Sequence, residues 1–204
     1  MPSRNTRKTM VPESYYHVYA RGASKQPIFL DDNDHAVFFN LLKRYLSKTP
    51  AKDRLGREYP NYYGIVELLS FCLMKNHFHL LFYQEDEVAI QKAMQCVLTS
   101  YVTYFNHRHK RTGPLFESRY KASRITNDAY LLHISRYIHL NPKQWRTHKW
   151  SSLPYYLDGK KADWVRPRRI LGLYRTTSEY RRFVEDYQSH KATLDLIKVE
   201  LANS

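Results

Sequence analysis

Apolar residues recur along the chain at two spacings, every second residue in some stretches and every third or fourth in others. The two periods mark out strands and helices. Residues 15–21 (YYHVYAR) are rich in β-formers and end at Gly22, which predicts a first strand. Asp31 and Asp32 are acidic cap candidates, and Val37, Phe38, Leu41, Leu42 and Tyr45 follow at helical spacing, predicting a helix over 32–46. Residues 47–62 are polar and broken by Pro50, Gly56 and Pro60, a loop. Two apolar runs, 65–73 and 77–83, flank a turn at Lys75-Asn76 and read as an antiparallel hairpin. A second helix is expected over 87–107, with Ile90, Met94, Val97, Leu98, Tyr101, Val102 and Phe105 along one side. After Gly113-Pro114, residues 115–125 (LFESRYKASRI) alternate as a fourth strand. Asn127 or Asp128 then caps a third helix that runs to Leu140 and is stopped by Pro142.

The order β-α-β-β-α-β-α implies an α+β fold, an antiparallel-rich sheet of four to five strands with the crossover helices packed on one face, as in ferredoxin-like and RRM-like domains. Beyond Trp145 the composition changes to Trp150, Pro154, Tyr155, Tyr156 and a basic run at Arg166, Arg168 and Arg169, with an amphipathic helix expected over 178–188 and a tail after His190. The chain therefore divides into a basic N-terminal arm (1–14, with Arg4, Arg7 and Lys8), a core domain (15–145) and a C-terminal extension with short helices (146–204).

The chemistry gathers at MKNHFHLLF, residues 74–82. On a strand His77 and His79 point the same way while Phe78 anchors them from the other face. Two imidazoles make half of a metal site; alone they are equally a pair of hydrogen-bonded strand histidines. The third helix carries further polar groups. At about 100° per residue Tyr130, His133, Tyr137 and Asn141 fall within roughly 80° of one another. Leu131, Ile134 and Ile138 form a neighbouring stripe that must face the sheet. Two imidazoles and an amide oxygen can hold a divalent ion with positions open for phosphate oxygens. A tyrosine oxygen can then attack phosphorus in line. Free phenol titrates near 10 and needs help, for which Lys121 and His133 are the candidates. By spacing alone Tyr137 is more readily a core tyrosine than a nucleophile. His139 lies on another face and reads as a surface or structural residue.

Composition adds a partner class. Lys plus Arg number 33 against 19 acids, a net charge of +14, and such an excess favours a polyanion through counterion release. Eighteen tyrosines supply aromatic faces of the kind on which unstacked bases sit. Arg119, Lys121 and Arg124 on the fourth strand, and Arg166, Arg168 and Arg169 in the extension, are the phosphate-contact candidates. No run approaches the ~18 apolar residues of a membrane span, and the N-terminus lacks the apolar stretch of a signal peptide. Cys72 and Cys96 read as buried thiols, which places the chain in a reducing, cytoplasmic compartment.

YHVYARG, MKNHFHLLF, GPLFESRYKA and YIHLNP followed by WSS, in that order over residues 15–157, resemble the single-tyrosine HUH transposases (histidine, hydrophobe, histidine), and specifically the REP-associated tyrosine transposases and their insertion-sequence relatives. The ILGLY…YRRFVEDY segment resembles that family's C-terminal extension. The resemblance implies an HUH core in which His77 and His79 are metal ligands, Tyr137 is the nucleophile and Asn141 takes the third-ligand position, where some relatives use Gln. It implies cleavage of single-stranded DNA at or near hairpins with Mg²⁺ or Mn²⁺, leaving a 5′-phosphotyrosine and a free 3′-hydroxyl, by a monomer or a homodimer. Lys75 departs from the Pro of many relatives, a change in turn rigidity rather than chemistry. The alternative is a catalytically inactive, domesticated protein that binds DNA hairpins. Retention of His77, His79, Tyr137 and Asn141 together favours activity. A zinc hydrolase lacks its companion carboxylate near the second histidine, and an RNA nuclease is left open because recognition of a 2′-hydroxyl leaves no trace in the sequence.

Overall fold

The computed structural model describes residues 10–186. Arg4, Arg7 and Lys8, the end of the expected last helix and the tail lie outside the described residues. Four strands, β1 (Ser14–Arg21), β2 (Val66–Met74), β3 (His77–Gln84) and β4 (Lys121–Ile125), form one sheet in the order β2-β3-β1-β4. Every pairing is antiparallel. The helices of the core are α1 (Asp32–Leu46), α2 (Ala89–Arg108) and α3 (Asp128–Leu140). Three shorter ones follow: α4 (Leu153–Leu157), α5 (Arg168–Leu171) and α6 (Thr177–Glu185). The α+β class is as the sequence implies, with four strands.

Strand alternation sorts the layers. Val18, Ala20, Phe71, Leu73, Phe78, Leu80 and Phe82 face the crossover helices α1 and α2. There Phe38 of α1 meets Phe78 and Tyr101 with ring centroids 5.1 and 5.0 Å apart. The opposite face, carrying His17, Tyr19, Arg21, His77, His79 and Cys72, receives α3. Asp31 caps α1 by accepting from the Asp34 N–H, and Asn127 caps α3 by accepting from Tyr130 N–H.

Two expectations need correction. Residues 115–120 are not strand: β4 begins at Lys121, because its ladder with β1 runs only from Tyr15 to Tyr19. The preceding residues instead bond singly to the end of β1, through Gly22–Phe116 and Glu117 N–H to Arg21 O. Cys96 is half-buried beside the Tyr62 hydroxyl, whereas Cys72 is fully buried.

The residues after α3 pack on the core. Trp150 O accepts from Leu73 N–H, Ser152 N–H donates to Phe71 O, and Arg166 N–H donates to Leu68 O, so this segment covers the outer edge of β2. His139, fully buried, bridges the Tyr180 hydroxyl of α6 (2.8 Å) and Ser152 Oγ (2.7 Å). It is a structural residue, not a surface one.

Burial holds two histidine rings, His17 and His139, far below their ordinary value, at about 3 each. Between 6.5 and about 3 the unfolded chain therefore binds protons that the folded chain refuses. Stability contributed by these rings is complete above 6.5 and is lost as pH falls toward 3, at about 1.4 kcal/mol per pH unit for each ring. Circular-dichroism melts are expected to show a steady fall in Tm below pH 6.5; a flat Tm down to pH 4.5 would contradict two buried neutral rings.

Candidate functional site

The turn between β2 and β3 is clamped by the loop after β1. Gly22 N–H donates to Asn76 O, and Ile28 and Phe29 N–H both donate to Lys75 O. Gly22 is required there because a Cβ would stand 2.1 Å from Gln26 O. The Asn76 amide N–H donates to Lys25 O (3.1 Å), which turns its Oδ1 toward His77 Nδ1 at 2.7 Å. That oxygen and Asn141 Oδ1, on the far side of the ring, both only accept, so the single N–H of a neutral His77 can serve one of them.

The other ring nitrogen, Nε2, lies 3.0 Å from Asn141 Oδ1. Burial lowers the His77 pKa, the Asn141 contact raises it and the Arg21 charge lowers it, and the ring is neutral at pH 7. One N–H thus faces two amide oxygens, and the nitrogen that lacks it presents a lone pair to an acceptor. Two imidazole nitrogens and an amide oxygen are a donor set that could hold a divalent ion. His79, 5% exposed, is held well below its ordinary pKa by burial and by the charges of His17, His77 and Arg21. Its Nδ1 is occupied by His17 Nε2 at 2.9 Å, which leaves Nε2 for the cavity. Among the described residues no three histidine, cysteine or carboxylate side chains are arranged to hold a metal; an ion held by His77 and His79 would take the Asn141 amide as its third protein donor.

Tyr137 projects from α3 one turn before Asn141. Its ring meets His79 edge-on at 5.2 Å between centroids. Burial raises the phenol above 10, while a hydrogen bond from Asn141 and the charge of Arg21 pull it back. One chain therefore brings together His77, His79, Tyr137 and Asn141. The first three border a cavity of about 380 Å³ that is also lined by Tyr19, Arg21, Glu117, Arg119 and Lys121, with Asn141 behind His77.

The basic residues divide. Arg119 and Lys121 line this cavity. Arg124 pairs with Tyr16 and so points to the other face of the sheet, exposed. Arg169 is held by Glu67 and Glu85 and lies 3.6 Å above the Tyr83 ring. That ring is six residues along β3 from His77, a distance of ~20 Å. Arg166 covers Tyr63 and Arg168 is exposed on α5. His133 is engaged by Arg136 (2.9 Å) and the Phe183 ring and does not line the cavity. Of the two helpers expected for the phenol, only Lys121 does.

Four residues escaped the sequence reading: His17, Tyr19 and Arg21 on β1, and Asn76 in the turn. The signal for the first three was available, since alternation along YYHVYAR puts them on one face. Only the register that sets Tyr19 opposite His79 and Arg21 opposite His77 tells which face it is.

The sequence model of the IS200-like transposases matches residues 11–141, which takes in His77, His79, Tyr137, Asn141 and the cavity lining. The chain belongs to this transposase family. A search of curated protein sequences returns no match. Among solved structures, this IS200-like transposase is similar in fold to a REP-associated tyrosine transposase bound to a REP hairpin. The TM-score is 0.54 at 11% identity, over 80% of this chain and 92% of the other. The fold and family read from the motifs are thus borne out. Among the described residues no helix is long and apolar enough to cross a membrane.

Proposed function

We propose that this transposase nicks and rejoins single-stranded DNA at hairpins with Tyr137 as nucleophile, His77, His79 and Asn141 holding Mg²⁺ or Mn²⁺. What carries this reading is the convergence of a phenol and two imidazoles on one cavity that Arg21, Arg119 and Lys121 also line, with the Asn141 amide against His77. The bound ion would neutralise charge developing on the phosphate oxygens. The Tyr137 oxygen forms a bond to phosphorus as the bond to the 3′-oxygen breaks. The 5′-phosphate ends on tyrosine, the phenol proton leaves to solvent, and the 3′-oxygen takes up a proton. Arg21, Arg119 and Lys121 border the cavity and supply positive charge for the phosphodiester. The similar fold of a transposase bound to a REP hairpin supports hairpin DNA as the partner. Free thiols at Cys72 and Cys96 suit a cytoplasmic setting.

Labelled hairpin-bearing single strands incubated with Mg²⁺ or Mn²⁺ are expected to be cut and to leave protein covalently attached to the 5′-phosphate of the downstream fragment. Binding without cutting under either ion would instead support the inactive hairpin binder. Arg21→Gln is expected to slow nicking ~10–100-fold, with hairpin affinity changed only a few-fold. An unchanged rate would remove Arg21 from the reacting centre.

A further inference from the structure

We infer that His17, in the middle of β1, is a positioning residue that decides whether His79 offers a lone pair to a divalent cation. This role rests on the reading of His77, His79 and Asn141 as a cation site.

His17 is fully buried, and its ring stacks on His79 with centroids 5.0 Å apart. Its Nε2 lies 2.9 Å from His79 Nδ1, so one proton sits between the two nitrogens. The other nitrogen of His17, Nδ1, is buried with no hydrogen-bond partner among the described residues. Each neutral ring carries one N–H, and only two arrangements remain. In the first, His17 Nε2–H donates to His79 Nδ1. The His79 proton is then on Nε2, which cannot ligate, and His17 Nδ1 is a bare lone pair. In the second, His79 Nδ1–H donates to His17 Nε2. His79 Nε2 is then free to ligate, and the His17 proton moves to Nδ1, a buried donor with no acceptor.

A buried orphan N–H costs more than a buried orphan lone pair. The first arrangement therefore holds without a cation and the second with one. Cation binding reverses the hydrogen bond, both rings stay neutral, and two protons change nitrogen with none gained or lost. His77 differs: its Nδ1 and Nε2 face the amide oxygens of Asn76 and Asn141 rather than a second imidazole. A proton on Nδ1, accepted by Asn76, leaves its Nε2 free to ligate, whereas His79 depends on the neighbouring His17 ring for the same arrangement.

The direct test is ¹⁵N NMR of histidine-labelled protein titrated with Mg²⁺, in which ring nitrogens with and without a proton are resolved. The expected result is a His17 proton on Nε2 without Mg²⁺ and on Nδ1 at saturation. An unchanged His17 pattern at saturation would overturn the inference. In parallel, Mn²⁺ affinity is measured by electron paramagnetic resonance without DNA. His17→Phe, which keeps ring bulk but accepts nothing, is expected to weaken it ~10–100-fold. His17→Gln, whose amide oxygen accepts from His79 Nδ1–H, is expected to restore it to within a few-fold. A folded His17→Phe that binds Mn²⁺ like the wild type overturns the role; if that variant does not fold, the NMR titration of the wild type decides. Binding that is lost in His77→Ala but indifferent to His17 sinks this inference alone. Absence of Mn²⁺ binding in the wild type sinks the cation reading as well.

Discussion

Tyr137→Phe is expected to abolish the covalent protein–DNA adduct while the protein still folds and binds hairpins. The loss should be on the order of 10⁴ or more in nicking rate, because no other group replaces a missing nucleophile. Folding should be nearly untouched: the ring keeps its edge contact with His79, and what is lost is one hydrogen bond with Asn141, about 1 kcal/mol. Denaturing gels of protein incubated with 3′-labelled hairpin strands read the adduct, and gel shifts read binding. A persisting adduct would move the nucleophile elsewhere, and Tyr19 would be first in line because it borders the same cavity. Its phenol is pushed up to about 12 by burial and by Tyr137, which makes it the poorer nucleophile at neutral pH.

His77→Ala is expected to remove cation affinity and cleavage together. Two remaining donors, one imidazole and one amide, do not hold a hard divalent ion, so Mn²⁺ binding should weaken by more than ~100-fold. The variant also leaves Asn76 Oδ1 and Asn141 Oδ1 without their common partner. The half-buried position of the ring limits the structural cost to about 1–2 kcal/mol. Isothermal titration with Mn²⁺ and cleavage as a function of Mn²⁺ concentration measure the two losses. Cleavage that survives in His77→Ala with unchanged Mn²⁺ dependence would place the ion elsewhere.

Much of this could be read from local pattern. Phe78 between two histidines fixed their common direction, since strand alternation requires only that residues 77–79 be extended. The cap at Asn127 and the stop at Pro142 bounded α3, and one helical turn joined Tyr137 to Asn141. The overextended fourth strand shows the limit of that logic. LFESRY alternates as well as a strand does, but the ladder with β1 ends at Tyr19–Lys121 and the next bridge, Gly22–Phe116, is out of that register. The annex arginines show another. Arg166 and Arg169 look free in sequence, yet Arg166 covers Tyr63 and Arg169 is held between Glu67 and Glu85.

By itself the sequence determined the elements, the α+β class, the shared face of His77 and His79 and the pairing of Tyr137 with Asn141. All of these follow from periods of two and 3.6 residues within short stretches of chain. The tertiary structure alone decided that β1 lies between β3 and β4, that α3 packs on the histidine face, and that WSS seals the edge of β2. It thereby decided that His17 touches His79 and that Arg21 stands beside the phenol. Those contacts join residues 62 and 116 positions apart. They depend on which strands exchange hydrogen bonds and on which face a helix buries, choices made by the packing of the whole core and invisible to any local spacing.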